Sequence, residues 1–315
     1  TEIGKLSQLN TQIFLDSNRF SGIPTQIGKW SISQQLNISN NALSGFVPTE
    51  LGQMTSLSQL SLMSNKLRGT IPTEFGRLTN RLHLLNLQSN SLSGGFRNEL
   101  MKLKKITYLF ASDNSLEGSL PHPMVFPLLE VLDISKNQLS GRLPDTSGMP
   151  ILAALLLHEN KFTGGLGDLQ LNVSHNIGNS SNTGDNDDRR PWFSDDDDAQ
   201  NEIFYGGSIE VLTLHDNRLN EAIASDFTLP PSIKYFTAND NKIPGKIPKS
   251  FFSGVNTSTE ITVLLSDNRL SCELPEWALN VSKSSLILLG NLLPFNTSTG
   301  FSCIESSNCK IKFSI

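Results

Sequence analysis

The chain has 315 residues, 37% of them hydrophobic and 17% charged, with a formal net charge of −5. That is enough apolar material for a continuous core, but it lacks the basic stripe that binding nucleic acid requires, so no nucleic-acid partner is expected. No run of 18 apolar residues is present to cross a membrane as a helix, and no basic start followed by an apolar run marks a leader.

The first residues already belong to a pattern. Thr1-Glu2-Ile3-Gly4-Lys5-Leu6 is matched by Thr49-Glu50-Leu51-Gly52-Gln53-Met54 and by Thr73-Glu74-Phe75-Gly76-Arg77-Leu78. The chain thus opens inside a repeat, and a cap, a leader or further repeats are expected before it. Asparagines mark the period: Asn18, Asn41, Asn65, Asn90, Asn114, Asn137, Asn160, Asn217, Asn241, Asn268 and Asn291. Their spacings are 23, 24, 25, 24, 23, 23, 57, 24, 27 and 23, so all but one interval lie near 24.

Leu57, Leu60 and Leu62 precede Asn65 by eight, five and three residues. Ile106, Leu109 and Ala111 stand in the same places before Asn114, as do Leu129, Leu132 and Ile134 before Asn137. The pattern L-x-x-L-x-L-x-x-N alternates with period two at its centre, which predicts a short strand with its leucines inward. One coil cannot bury those leucines alone; stacked coils share one core. The asparagine amide carries two donors and an acceptor, so stacked asparagines can satisfy the backbone of neighbouring turns. Asp would bury a charge there, and Leu would satisfy nothing.

A second signature follows each anchor. Leu43 to Pro48 and Leu67 to Pro72 read Leu-x-Gly-x-Ile-Pro or a close variant, as do Leu116 to Pro121, Leu139 to Pro144 and Ile243 to Pro248. Glycine permits the turn, and proline favours extended backbone over a long helix. Some coils depart: Gly94 to Arg97 and Gly164 to Gly167 lack the proline, Glu221 to Ala224 lacks both residues, and Ser21 to Pro24 is one residue short.

These motifs together resemble the plant-type leucine-rich repeat family, found in receptor-kinase ectodomains, polygalacturonase inhibitors and related protist proteins. The resemblance covers nearly the whole chain. It implies an α/β repeat solenoid: a right-handed superhelix with a parallel concave β-sheet and short 3-10 or irregular convex segments. By this reading residues 1–176 hold the N-terminal repeats, 177–203 an acidic mobile insertion, 204–293 the C-terminal repeats, and 294–315 a cap or tail.

The long interval, about two repeats plus nine residues, falls between Asn160 and Asn217. Leu169, Leu171 and Val173 before Asn176 read as a strand arriving early. From Gly178 to Asn201 the chain is rich in Asn, Ser, Gly and Asp, a composition unable to bury enough apolar surface to order itself. Similar islands in the resembled receptors can contact ligands; a solvated insertion without a role is the plainer reading. The Asp195 to Asp198 run lacks the spacing of a calcium loop.

Cys272, Cys303 and Cys309 are the only cysteines. The resemblance implies a C-terminal cap with a disulfide, preferably Cys303–Cys309; Cys272–Cys303 and three free thiols stay open. Six sequons occur, at Asn37, Asn172, Asn179, Asn256, Asn280 and Asn296. So many arise by chance in a chain this rich in Asn, Ser and Thr. Asn37 is expected to face outward on the concave sheet, where a glycan would obstruct that face.

No nucleophile elbow, zincin helix, Walker loop, kinase signature or paired C-x-x-C is present, so no enzyme and no cofactor is expected. His158 and His215 each stand two residues before an anchor and therefore share a column. They would be neighbours if the long interval adds no more than one coil. A metal or pH-sensing pair is one reading. Exposed polar strand residues, with no metal site, is the reading preferred, because no third ligand is evident.

The strand positions that alternate with the leucines should project from the concave face. Four before the anchors stand Phe14, Asn37, Ser61, Asn86, Phe110, Asp133, Leu156, Thr213, Thr237 and Leu264. Six before the anchors stand Tyr108, Val131, Val211 and Tyr235. Phe14, Tyr108, Phe110, Val131, Asp133, Leu156, His158, Thr213, His215 and Tyr235 form the expected binding face, with Tyr108 and Phe110 as an exposed aromatic centre. The expected function is a non-catalytic recognition scaffold, the ectodomain of a receptor-like protein or a secreted binding protein, at the cell surface or outside the cell. Its partner would be a protein, peptide or glycan, with a co-receptor or self-association possible; an adhesive, self-associating solenoid is the alternative.

Overall fold

The computed structural model describes residues 12–171, 209–255 and 261–271, the backbone of 285–287, and residue 291. The insertion at 177–203, the tail at 294–315, Cys303 and Cys309, and the sequons at Asn172, Asn179, Asn256, Asn280 and Asn296 lie outside the described residues.

Each repeat contributes three residues to one parallel sheet of eleven strands. These are Gln12–Phe14, Gln35–Asn37, Gln59–Ser61, Leu84–Asn86, Tyr108–Phe110, Val131–Asp133, Ala154–Leu156, Val211–Thr213, Tyr235–Thr237, Thr262–Leu264 and Ser285–Ile287. The register never slips: Leu109, Leu132, Leu155 and Leu212 pair in line, each the central leucine of its strand. Those central residues point into one core that runs unbroken from Ile13 to Leu270. Each buried leucine contributes about 2 kcal/mol through apolar burial.

The strand Ala154–Leu156 pairs directly with Val211–Thr213. The interval between Asn160 and Asn217 therefore adds no strand to this sheet among the described residues. The early strand expected from Leu169 onward does not form over 169–171. Leu166–Leu169 is a 3-10 turn that buries Leu166 and Leu169, and Gln170 ends it in the left-handed region at φ 47°.

The Leu-x-Gly-x-Ile-Pro segments are more regular than expected. They build a second parallel sheet of six strands, from Ser44–Phe46 through Lys66–Gly69, Ser91–Gly94, Ser115–Ser119 and Gln138–Arg142 to Lys161–Thr163. The glycine of each segment takes φ between 74° and 86°, including Gly94 and Gly164 where the proline is missing. At Gly69 a Cβ would also collide with the Phe46 ring. Glu221 holds this position in the next coil, and a Cβ disfavours that backbone region. The second sheet accordingly stops at Lys161–Thr163, and pairing resumes only at Pro244–Gly245 with Arg269–Leu270. Past the proline, 3-10 turns at Thr25–Lys29, Thr49–Gln53 and Thr73–Arg77 stack coil on coil. Gly52 permits this, because a Cβ there would meet the Glu74 backbone.

The anchors form a continuous hydrogen-bonded ladder. Asn137 Nδ2 donates to Ile134 O and Ser135 O of its own coil and to Ala111 O of the coil before, at 3.2, 2.8 and 3.0 Å. Its Oδ1 accepts from Leu116 N at 2.8 Å. Asn217 repeats the arrangement across the long interval, donating to Leu157 O and accepting from Phe162 N. The residue before each anchor sits in the left-handed region, φ 51° to 56°, from Ser17 to Asp267. Ser, Asn and Asp predominate there, the short polar residues that tolerate it best.

Asn137→Ala strands three buried carbonyls and one amide at once. It is expected to cost about 3 kcal/mol or more in chemical denaturation, and a loss below about 1 kcal/mol would show that water replaces the amide.

Candidate functional site on the outer face of the long sheet

Strand residues six and four before each anchor point away from the core, onto the face expected to be concave. Parallel strands lie about 4.8 Å apart, so a side chain on this face is flanked closely by its counterparts in both neighbouring coils. Large side chains in adjacent coils therefore cover one another.

This changes the expected aromatic centre. Phe110 is buried, as are Val131, Asp133 and Thr213. Phe110, Val131 and Ala154 make a second apolar cluster outside the core, with Tyr108, Leu156 and Val211 packed around it, half-buried. Tyr108 and Phe110 lie parallel with centroids 6.4 Å apart, and the Tyr108 hydroxyl donates to Glu130 Oε2 at 3.0 Å. Tyr235 and Phe14 remain exposed, Tyr235 three strands beyond the Tyr108 pair's neighbour at 131–133 and Phe14 at the far N-terminal strand. From strand 35–37 to strand 84–86 the face is polar apart from the buried Leu84, with Gln35, Asn37, Gln59, Ser61 and Asn86 on the same two columns.

Asn37 does not project freely. It is buried, and its Oδ1 accepts from Ser39 N at 3.0 Å, a local brace. Asn86 makes the same bond to Gln88 N, and Asp133 makes it to Ser135 N, both at 3.0 Å. Asp133 also accepts from Ser135 Oγ at 2.6 Å. Burial raises the Asp133 pKa above its ordinary value despite these bonds.

His158 and His215 occupy adjacent coils, as one of the two sequence readings required. Their rings stack with centroids 4.4 Å apart and planes 13° from parallel. His158 Nδ1 shares a hydrogen bond with Thr213 Oγ1, and His215 Nδ1 with Thr237 Oγ1, each at 2.8 Å. Both rings are half-buried, not exposed. Burial, then the neighbouring His215 and Lys136, lowers the His158 pKa to about 4. Burial also lowers that of His215, against the opposing charges of Asp216, Glu159 and Asp240. Glu159 reaches the pair as a third potential ligand, with donor atoms within 4.8 Å. Sequence reasoning passed over it; the signal was its place in the left-handed column next to His158.

The leucine-rich repeat family profile matches residues 11–67, and a second leucine-rich repeat profile matches 128–148. No curated protein matches the chain by sequence. Among solved structures, a TDR receptor aligns with a TM-score of 0.71 and 23% identity, over 93% of this chain and 45% of that one. The ectodomain of the membrane receptor kinase GASSHO1/SCHENGEN3 from Arabidopsis thaliana, in complex with Casparian strip integrity factor 2, aligns at 0.70 and 27%, over 92% and 34%. The Arabidopsis receptor kinase HAESA, in complex with the peptide hormone IDA and the co-receptor SERK1, aligns at 0.62 and 23%, over 89% and 46%. The chain thus spans less than half the length of these structures. With the repeat and its asparagine ladder, these matches define a leucine-rich repeat solenoid. The chain carries leucine-rich repeats over the matched residues, and its fold is similar to that of these plant receptor structures.

Asp133→Asn keeps the acceptor for Ser135 and removes a buried charge. A carboxyl whose folded pKa lies above its unfolded value contributes stability at low pH that is lost as pH rises through the folded pKa. The variant is therefore expected to melt a few degrees higher than the wild type at pH 7, with the gap closing as the pH falls through the raised folded pKa toward the ordinary value of 3.8. A variant less stable at pH 7 would mean that the ionised carboxylate is fully compensated in place.

Proposed function

We propose that the chain is a non-catalytic recognition scaffold that binds an extended peptide or protein segment on the outer face of its long sheet. The observation that carries this reading is the apolar island formed by Tyr108, Phe110, Val131, Ala154, Leu156 and Val211. It stands on the solvent side of a sheet whose other side already fills the core. Strand propensity alone does not account for it, since Gln35, Asn37, Gln59 and Ser61 hold equivalent positions in earlier strands. A compact apolar patch whose accessible members are Tyr108, Leu156 and Val211 has the character of an interface centre.

From strand 108–110 to strand 235–237 the face crosses four strand spacings, about 19 Å, the span of about six extended residues. Tyr235, partly exposed at the end of that path, supplies a second aromatic anchor. Support comes also from structural neighbours that hold a peptide hormone or another protein factor. By the same reading the chain is part of a receptor-like or secreted protein that works outside the cell.

A peptide library selected on the immobilised chain tests this, with affinities of the winners measured by calorimetry. Leu156 is half-buried at the accessible edge of the island, so Leu156→Glu is expected to weaken selected peptides at least about tenfold while the melting temperature holds. Phe46, exposed on the second sheet, supplies the control. Peptides that lose affinity with Phe46→Ala and not with Leu156→Glu would move the site off this face.

A further inference from the structure

Residues 154–160 and 211–217 belong to adjacent coils although 57 residues separate their ladder asparagines. His158 and His215 lie across that joint. Each Nδ1 is held by a threonine of the following coil, Thr213 or Thr237. The two Nε2 atoms make no hydrogen bond among the described residues. Glu159 turns through the left-handed region at φ 52° and stays exposed, next to the stacked rings. One donor atom from each of the three residues lies within 4.8 Å of the others, and no other such trio of His, Cys, Asp or Glu occurs among the described residues.

We propose that His158, His215 and Glu159 bind a divalent transition-metal ion, of which Zn2+ is the best fit. Two imidazole nitrogens and one carboxylate oxygen are the donor set that zinc and its first-row neighbours take, whereas calcium and magnesium call for oxygen alone. For Nε2 to ligate, Nδ1 must carry the proton, and the threonine hydroxyls stand where they accept it. Such outer partners fix both tautomer and ring orientation. Tetrahedral zinc holds its donors about 2.0–2.1 Å from the ion, hence about 3.4 Å from one another. The trio therefore closes by at most about 1.4 Å on binding, and the near-parallel rings splay so that their lone pairs converge. Asp216 and Asp240 add negative charge nearby, and Lys136 is the one opposing cation acting on both histidines. Three ligands leave a fourth position for water. The ion ties together two coils that are neighbours in space and remote in sequence, so it binds the native state and not the unfolded one.

The test uses the full chain, stripped with a chelator, in calorimetric titration with Zn2+ and absorption titration with Co2+. One site per chain is expected, with visible Co2+ bands and a melting temperature that rises on adding Zn2+. His158→Gln and His215→Gln should each weaken binding at least about tenfold and abolish the thermal shift. Thr213→Val leaves all three ligands in place and should weaken binding through the lost brace. Glu159→Gln, at an exposed position, keeps the fold in any event and should weaken binding too. Absence of binding at about 1 mM Zn2+, or wild-type affinity in Glu159→Gln and in either histidine variant, overturns the proposal and assigns any bound ion to other histidines or cysteines.

Discussion

The asparagine ladder is the interaction on which the solenoid depends. A strand of three residues cannot hold its own turn, and the chain must reverse inward immediately after it, leaving carbonyls with no strand partner. One amide per coil answers three of those carbonyls and one amide of the coil before. The bond set links each coil to its predecessor, so every coil is positioned by its neighbour and not by any distant contact. This is why the sheet keeps register from strand 12–14 to strand 285–287, and why Asn217 can resume the ladder directly on Leu157 and Phe162 after the long interval.

Nearest-neighbour stacking also determines what the outer face can be. Columns of the repeat become rows of touching side chains, so a single coil has little individual identity on that face. Where successive coils carry Gln, Asn and Ser, the side chains brace the local backbone, as Asn37 and Asn86 do. Where they carry Tyr, Phe, Val and Leu, they shield one another and make an apolar island. Asp133 belongs to the bracing set by geometry and lies beside the island by position, which is how a carboxylate comes to be buried on a face that points away from the core. The second sheet obeys the same rule from the other side: its continuity depends on a glycine in every coil, and it stops where Glu221 takes that place.

The repeat, the strand positions, the inward leucines and the role of the asparagine were legible in the sequence, because each depends on residues close together along the chain and repeated at a fixed offset. The glycine of Leu-x-Gly-x-Ile-Pro was legible as a turn, yet the sheet it builds was not, since a sheet is a relation between coils. The outer face of the long sheet was legible as columns. The burial of Phe110, Val131 and Thr213 was not, because exposure there is decided by the side chains one strand away.

By itself, then, the sequence determined the solenoid and its period: local patterning and the need to satisfy turn backbone leave no other arrangement for these residues. Only the tertiary structure decided how the long interval is absorbed. Period counting allows one further coil there, whereas the sheet passes from 154–156 straight to 211–213. That choice brings His158 against His215 and sets Glu159 beside them. The physical reason is that proximity across a stack is fixed by which coils pair, and pairing is settled by the backbone hydrogen bonds of the ladder and the sheet, which no spacing along the chain encodes.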